Sequence, residues 1–269
     1  MFFRTKIRWR NDIIEVGRQV ITEPSLATAI SPWKMATTEY ARDDGRELGA
    51  TRPLLASVGF SSQATGSARV EIGKTKVACA VYGPSSSSRD MDEFSELCKI
   101  VCDFKYAPFA CKGERRKRGR GLDEDELSSV VEQAVRSSVC TELYPKSVIN
   151  IYILVLEDEG NAVGAAITAA SMAIAQARIS CVDMVVASSV CKIEGSTSAG
   201  LVADPSSEER RVCNATTFVA YMPNVEKITS MISQGKLSSK ETVNMLNLGV
   251  SSCKDLHAQA RSFLLASAP

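Results

Sequence analysis

The sequence predicts a mixed α/β (α+β) fold in a single compact domain, and three segments carry the prediction. Residues 68–82 alternate apolar and polar side chains on both sides of Gly73-Lys74, as a β-hairpin does. Residues 148–156 are an almost unbroken run of β-branched and aliphatic side chains, typical of a buried strand. Residues 161–177 are rich in Ala and predict a tightly packed core helix. Strands that interleave with helices in this way are typical of α/β and α+β domains.

The remaining strands follow from local patterns. Residues 1–43 lack long periodicity and are predicted to be an extension. Gly83-Pro84 is expected to end the second strand of the hairpin, because Pro has no N–H to donate. Three further strands are predicted, at residues 100–106, 182–190 and 216–222.

Two more helices are predicted from their starts. The acidic residues from Asp123 to Glu126 suit the positive end of a helix dipole, and apolar residues at helical spacing then continue to Val139. Ser238 and Glu241 have the spacing of a capping box, which predicts a final helix from that point. The apolar stripe of this helix is expected to consist of Val243, Leu246, Val250, Cys253 and Leu256.

Composition excludes several classes of protein. The 269 residues include 32 Lys and Arg against 31 Asp and Glu, so a globally basic nucleic-acid binder is excluded, although a local basic patch is compatible. Nine Cys without any C-x-x-C argue against a disulfide framework and a structural zinc site, and favour a reducing compartment. No apolar run has the length of a membrane span, and we expect no membrane partner and no cofactor.

Three local features raise questions of chemistry. Residues 112–120 are densely basic, which suits phosphate backbones, a solvated loop or a targeting signal equally well. Gly73-Lys74-Thr75 resembles the end of a phosphate-binding loop, but it lies between two strands, and a hairpin turn is favoured. Asp204 before Pro205 is a candidate metal ligand or acid, and a turn is the favoured interpretation. The candidate RNA-binding residues of the basic segment are Arg115, Arg116, Lys117, Arg118 and Arg120.

An ordered set of sequence blocks resembles a known family. The blocks are Asp44-Gly45-Arg46 with Thr51-Arg52-Pro53, Gly59 to Pro84, Tyr106 to Phe109, Leu143 to Lys146, Ala165 to Ala175, and Tyr221-Met222-Pro223. Together they resemble the RNase PH family of phosphate-dependent 3′-to-5′ exoribonucleases. The resemblance implies an RNase PH-like fold of the ribosomal protein S5 domain 2-like type over residues 44–266, followed by a tail at residues 267–269.

The resemblance also implies where a phosphate site would lie and what it lacks. The family has Gly, then Ser or Thr, then Arg at the start of the small-residue helix, where N–H groups and cations hold phosphate. This sequence has Gly160, Asn161 and Ala162 at these positions, without the hydroxyl and the guanidinium. We expect a degenerate phosphate site.

The implied metal site and RNA contacts are incomplete in the same way. The family holds a divalent cation with two Asp six residues apart. Here Asp204 keeps the first position and Arg210 replaces the second, with Glu209 as the adjacent carboxylate that remains. The two Arg with which the family binds RNA before the next helix fall on Leu122 and Asp123. A degenerate metal site and no bound metal are therefore expected.

The chain thus lacks the phosphate donors, the second metal carboxylate and the RNA-binding arginines of the family. In this it is similar to the catalytically silent ring subunits of the eukaryotic RNA exosome. It is most similar to the type called mRNA transport regulator three. The resemblance then implies other RNase PH-like subunits as partners in a six-membered ring, S1/KH-type cap subunits, RNA, and a place in the nucleus, nucleolus and cytoplasm. Two alternatives stay open at this point. One is an active phosphorolytic 3′-to-5′ exoribonuclease that uses Asp204 and Glu209. The other is a binding module outside the exosome that assembles with itself.

Overall fold

The computed structural model describes residues 42, 44–86, 96–111, 122–194 and 199–267. The predicted extension up to residue 41, the basic segment 112–120 and the last two residues lie outside this range. The predictions made for them, including RNA binding by residues 115–118 and 120, therefore stay predictions. None of the helices in the described ranges combines the length and the apolar character needed to cross a bilayer.

Alternating side chains in the first half of the chain build a five-stranded sheet, here called the first sheet. Its order is β1-β2-β3-β5-β4, antiparallel throughout except for the parallel pair β4–β5. The inward-facing residue of each pair, such as Val81 opposite Ile151, is buried, as the period of two requires. The strands are β1 Leu54–Val58, β2 Gly66–Ile72, β3 Thr75–Ser86, β4 Lys99–Tyr106 and β5 Ser147–Glu157.

The second half builds an antiparallel sheet of four strands in the order β7-β6-β8-β9. In the described ranges, four α-helices accompany the two sheets. The additional strands are β6 Val186–Glu194, β7 Ala199–Ala203, β8 Ala215–Met222 and β9 Lys227–Gly235. The helices are α1 Leu122–Arg136, α2 Ala162–Gln176, α3 Ser207–Val212 and α4 Ser239–Ser267.

The layers follow from which faces are apolar. Helices α1 and α2 lie between the sheets, because α2 packs on β2, β3 and β6 while α1 packs on β4 and β9. Helix α4 covers the other side of the second sheet. One hydrophobic core runs through both sheets and includes Ile151 of β5, Ile167 of α2, Val186 of β6 and Leu256 of α4. The two halves of the chain therefore share a core.

Small residues let α2 lie very close to the first sheet. Twelve residues of α2 are buried, and half of them are Ala. A Cβ atom added at Gly66 of β2 would lie only 2.2 Å from the carbonyl oxygen of Ala173. No residue with a side chain therefore fits at this position. The absence of bulk on both elements thus sets the distance between helix and sheet, and with it the position of the helix start at residue 162.

The structure confirms most of the predicted elements and corrects three of them. Strand β3 does not end at Gly83-Pro84 but continues to Ser86 through a register shift between Tyr82 and Ser85. Helix α1 ends at Arg136, and Val139 instead forms a bridge with Cys181. Strand β6 begins at Val186 and not at residue 182, because the Asp183 carboxylate accepts hydrogen bonds from the loop at residues 224–225 and fixes a turn there.

The final helix begins with the predicted capping box, but its buried face differs from the predicted apolar stripe. The Ser238 N–H donates to Glu241 Oε2 (2.9 Å). Among the residues predicted to face the core, Cys253 and Leu256 are buried, while Val243 is exposed. Gly249 of the buried face lies against β8, where an added Cβ would be 3.1 Å from Val219 Cγ2. The buried face consists of Met245, Leu248, Gly249, Ser252, Cys253, Leu256 and Ala260.

Candidate functional site

The positions predicted to form degenerate phosphate and metal sites meet at the start of α2. The amide Nδ2 of Asn161, which precedes the helix, donates to Asp204 Oδ1 at 3.2 Å. The Nη1 atom of Arg210 on α3 donates to the Gly160 carbonyl oxygen at 2.8 Å. Ala162, the first residue of α2, is buried beside them. The tertiary structure thus brings residues 160–162 and the β7–α3 connection into one place, here called the α2 site.

Asp204 is fully buried, and its carboxylate accepts hydrogen bonds from Arg52. The backbone N–H of Arg52 donates to Oδ2 at 3.0 Å, its Nε to Oδ2 at 2.7 Å, and its Nη2 to Oδ1 at 2.7 Å. Burial by itself would raise the pKa of the Asp204 carboxyl, but the hydrogen bonds and the charge of Arg52 outweigh it and hold this pKa below its usual range. Asp204 is therefore an ionised, fully partnered carboxylate.

The carboxylate of Glu209 accepts hydrogen bonds from a second arginine in the same way. Arg42 donates from Nε to Oε1 at 2.8 Å and from Nη2 to Oε2 at 3.0 Å. Glu209 also accepts the N–H of Ser206, which completes a capping box at the start of α3. Burial opposes ionisation here too, yet Arg42 and the Ser206 N–H keep the pKa of Glu209 below its usual range.

The start of α2, where a degenerate phosphate site is predicted, has neither a hydroxyl nor a guanidinium at positions 161 and 162. The side chain of Asn161 does not cap the helix, and the buried methyl of Ala162 offers no donor. Gly160 has a φ of +121°, and a Cβ there would lie 2.5 Å from the Pro205 carbonyl oxygen. Gly160 is thus required by the close approach of the β7–α3 connection.

A shallow pocket of about 100 Å³ opens beside Arg210. The Oγ atom of Ser189 on its wall is buried and has no hydrogen-bond partner. Across the described ranges, no three His, Cys, Asp or Glu side chains are grouped so that they could share a metal ion. The residues around the pocket are Leu127, Gly160, Asn161, Val163, Ser189, Arg210, Thr216, Phe218, Ile232 and Gln234.

Sequence reasoning missed the arginines that neutralise the site. Arg52 was part of a matched block without an assigned role, and Arg42 fell within the predicted extension. Both are buried, and Arg42 also donates to the Ala203 carbonyl oxygen at 3.0 Å. A buried carboxylate needs a cation or several donors, so Asp204 at the end of an apolar strand was the signal that such partners exist. Nothing in the local pattern says which arginines they are.

The two residues predicted to replace the family's RNA-binding arginines are part of a helix. Leu122 is the first residue of α1, and Asp123 lies in its acidic first turn with Glu124 and Asp125. Acidic side chains at this end stabilise the helix dipole. The charge at this position is negative, opposite to the charge that attracts a phosphate backbone.

Comparison with known proteins agrees with this geometry. The model of the 3′ exoribonuclease family, domain 1, matches residues 50–180, and the model of domain 2 of the same family matches residues 183–252. The chain belongs to the 3′ exoribonuclease (RNase PH) family. The two matched parts correspond to the first sheet with α1 and α2, and to the second sheet with the beginning of α4.

Relatives and structures extend the RNase PH family match over most of the chain. The chain is 33% identical to the exosome complex component Rrp41 of Pyrococcus furiosus, over 86% of this chain and 90% of that protein. It is 32% identical to the exosome complex component MTR3 of Mus musculus, over 86% and 87%. The crystal structure of rice (Oryza sativa) Rrp46 superposes with a TM-score of 0.72 at 22% identity, covering 83% of this chain and all of that one. The fold is therefore RNase PH-like.

Proposed function

We propose that this chain is a non-catalytic, structural subunit of an RNA exosome ring that supports 3′-to-5′ RNA processing and degradation. The observation that carries the proposal is the contact between Arg210 Nη1 and the Gly160 carbonyl oxygen, 2.8 Å long, at the position of the family's second metal-binding carboxylate. A guanidinium in that place brings a positive charge where phosphorolysis needs a divalent cation.

The two carboxylates that remain support the same conclusion. A cation ligand needs free oxygen lone pairs, whereas Asp204 accepts three hydrogen bonds from Arg52 and Glu209 accepts two from Arg42. Releasing either carboxylate for a metal would leave a buried guanidinium without its counter-charge, at a cost of about 3–5 kcal/mol. The alternative of a phosphorolytic enzyme built on Asp204 and Glu209 is therefore disfavoured.

We assign the chain to the type called mRNA transport regulator three. Identity does not separate the types, because the values for Rrp41 and MTR3 are 33% and 32%. The degenerate α2 site, with Ala162 and Arg210, is what favours the silent type. As partners we propose other RNase PH-like subunits in a hetero-hexameric ring, S1/KH-type cap subunits and RNA. We propose the nucleus, nucleolus and cytoplasm as its location, which imaging of the tagged chain tests.

A phosphorolysis assay tests the proposed silence. The purified chain, alone and with its ring partners, is incubated with single-stranded RNA, Mg²⁺ and phosphate, and release of nucleoside diphosphates is followed. We expect no product from the chain alone. Diphosphate release from the chain alone that disappears in the Asp204→Asn variant would show that the chain is itself the enzyme.

The basic segment is proposed to contact RNA without chemistry. Six of the nine residues from Lys112 to Arg120 are Lys or Arg, and such density steers phosphate backbones. In the reconstituted complex, Gln substitutions at Arg115, Arg116, Lys117 and Arg118 should weaken RNA binding at low salt and flatten its salt dependence. An unchanged slope of log Kd against log salt concentration would remove the segment from the path of the RNA.

A further inference from the structure

Two cysteines of the second half of the chain lie side by side next to α3. Cys191 is on β6, and Cys213 is the residue at which α3 ends. The side chain of Cys191 is completely buried, whereas Cys213 is partly exposed. The Cys213 thiol donates to the Arg210 carbonyl oxygen at 3.0 Å, which fixes its sulfur at the last turn of α3.

The strand register brings the two sulfur atoms to the same face of the second sheet. Cys191 and Thr216 are Cα partners of β6 and β8, so their side chains lie on one face. Cys213 Sγ is 3.2 Å from Thr216 Oγ1. Cys213 also packs against the apolar cluster that contains Cys191, and the two thiols share a hydrogen bond. Sulfur atoms in such contact have only to approach each other to the S–S bond length of about 2 Å.

Other neighbouring cysteines in the described ranges are less well placed for a bond. Cys79 of β3 and Cys102 of β4 are separated by the whole of β5. Cys181 forms its bridge with Val139, so Cys140 is one residue out of register with it. Neighbouring residues of a strand point to opposite faces, which turns the side chain of Cys140 away from that of Cys181.

Burial determines which of the two thiols reacts first. Cys213 can be reached from solvent, and an oxidant therefore meets it before Cys191. Burial, the Cys213 thiol and the carboxylate of Glu209 all raise the pKa of the Cys191 thiol. Because the thiolate is the reactive form, Cys191 is inert towards an oxidant by itself. A disulfide carries no charge, so the burial that opposes a thiolate at Cys191 does not oppose a disulfide there.

We propose that Cys213 and Cys191 form a reversible redox modification site, which hydrogen peroxide converts to an intramolecular disulfide. Cys213 Sγ attacks one peroxide oxygen, the O–O bond breaks, and the leaving hydroxide takes the thiol proton as water, so that Cys213 becomes a sulfenic acid. Cys191 Sγ then attacks the sulfur of Cys213, the S–O bond breaks, and the leaving hydroxide takes the Cys191 proton as a second water. Two thiols are oxidised and one peroxide is reduced. Exchange with an external dithiol restores both thiols.

The disulfide would close the segment that contains β7 and α3, and with them Asp204, Glu209 and Arg210 of the α2 site. A cross-link of this kind stabilises a protein mainly by restricting the unfolded chain. It would also tie the end of α3 to β6. Disulfides of proteins in reducing compartments are mostly transient and redox-sensing, which agrees with a cysteine content that argues against a structural framework. The site does not depend on the proposed function.

Peptide mapping of the full-length chain tests the proposal. The protein is treated with hydrogen peroxide in native buffer and, in parallel, in urea, its remaining thiols are alkylated, and it is digested with trypsin without reduction. Cys191 lies in tryptic peptide 179–192 together with Cys181, and Cys213 is the sole cysteine of peptide 212–227. The variant is Cys213→Ser, whose hydroxyl keeps a donor for the Arg210 carbonyl oxygen. The matched control is Cys181→Ser, which removes the exposed cysteine of the peptide that holds Cys191.

We expect a cross-link between peptides 179–192 and 212–227 in native buffer, in the wild type and in Cys181→Ser. It should disappear with dithiothreitol and be absent from Cys213→Ser. The disulfide should raise the melting temperature of the wild type by at least about 5 °C, relative to Cys213→Ser treated alike.

Three results would overturn the proposal. One is a cross-link that is lost in Cys181→Ser or that forms only in urea. Another is sulfinic acid at Cys213 beside an alkylated Cys191, since the second step would then not occur. The third is a disulfide that leaves the melting temperature unchanged or lowers it, because the folded protein would then not accommodate the bond.

Discussion

Arg52 and Asp204, 152 residues apart in the sequence, are joined by three hydrogen bonds within 3.0 Å, one from the backbone and two from the guanidinium. Both side chains are almost completely buried. The pair ties the segment before β1 to the end of β7, and a hydrogen bond from Asn161 to Asp204 adds the start of α2. The carboxylate predicted to keep the first position of the family's metal site is here part of the framework that holds the two sheets together.

Changing Asp204 to Asn should destabilise the protein by about 3–5 kcal/mol, because it leaves the buried guanidinium of Arg52 without its counter-charge. Urea denaturation followed by circular dichroism measures the loss. The matched control is Glu157→Gln, which breaks the half-exposed pair with Lys76 and should cost at most about 1 kcal/mol. Equal effects of the two substitutions would show that burial of the Arg52–Asp204 pair is not what matters.

Arg42 should prove to be part of the folded domain. Arg42→Met in the full-length chain should cost about 3–5 kcal/mol, because Glu209 then stays buried without a cation. The double variant Arg42→Met with Glu209→Leu should recover much of this loss, since a buried ion pair replaced by apolar side chains is often neutral. Thermal unfolding of the three proteins measures both steps. A double variant as unstable as Arg42→Met would place the cost in the carbonyl oxygens of Ala203 and Asp204, which lose their Arg42 donor in both variants, and not in the unpaired charge.

Low pH should lower the stability of the folded protein, because the carboxylates of Asp204 and Glu209 then become protonated. The pKa values of Asp204 and Glu209 lie below their ordinary range in the folded state, so the unfolded chain binds protons more readily. Their contribution to stability is complete above the ordinary carboxyl pKa of about 4 and is lost as pH falls through the lower folded values. The free energy of unfolding, measured from pH 7 to pH 2, should fall below about pH 4. The gap between wild type and Asp204→Asn should close over the same interval, and a constant gap would contradict the assignment.

Gly66→Ala should destabilise the protein by about 1–3 kcal/mol or more, because the new methyl would lie 2.2 Å from the Ala173 carbonyl oxygen and push α2 away from the first sheet. Gly200→Ala is the matched control, since a Cβ at Gly200 meets no atom within 4 Å. Melting temperatures of the two variants measure the difference. A Gly66→Ala variant as stable as Gly200→Ala would mean that α2 can shift without cost.

Much of the fold could be predicted because its signals are local. The hairpin of β2 and β3 follows from side-chain alternation around Gly73-Lys74, and β5 and α2 follow from apolar runs of the right length. Strands β1, β7 and β9 were not predicted. All three are edge strands of their sheets, and their patterns are weak because neighbouring strands and helices decide which side chains are buried.

The candidate site shows the same difference between local sequence signals and contacts made by the tertiary structure. Gly160, Asn161, Ala162, Asp204 and Arg210 could be named from the sequence, because matching blocks fix their positions. The contacts that these residues make could not be predicted from the sequence. The decisive contacts join distant segments of the chain. Arg52 neutralises Asp204, Arg42 neutralises Glu209, and Arg210 donates to the Gly160 carbonyl oxygen. Sequence periodicity records which side of an element is apolar, whereas the partner of a buried charge is chosen by the packing that removes water from it.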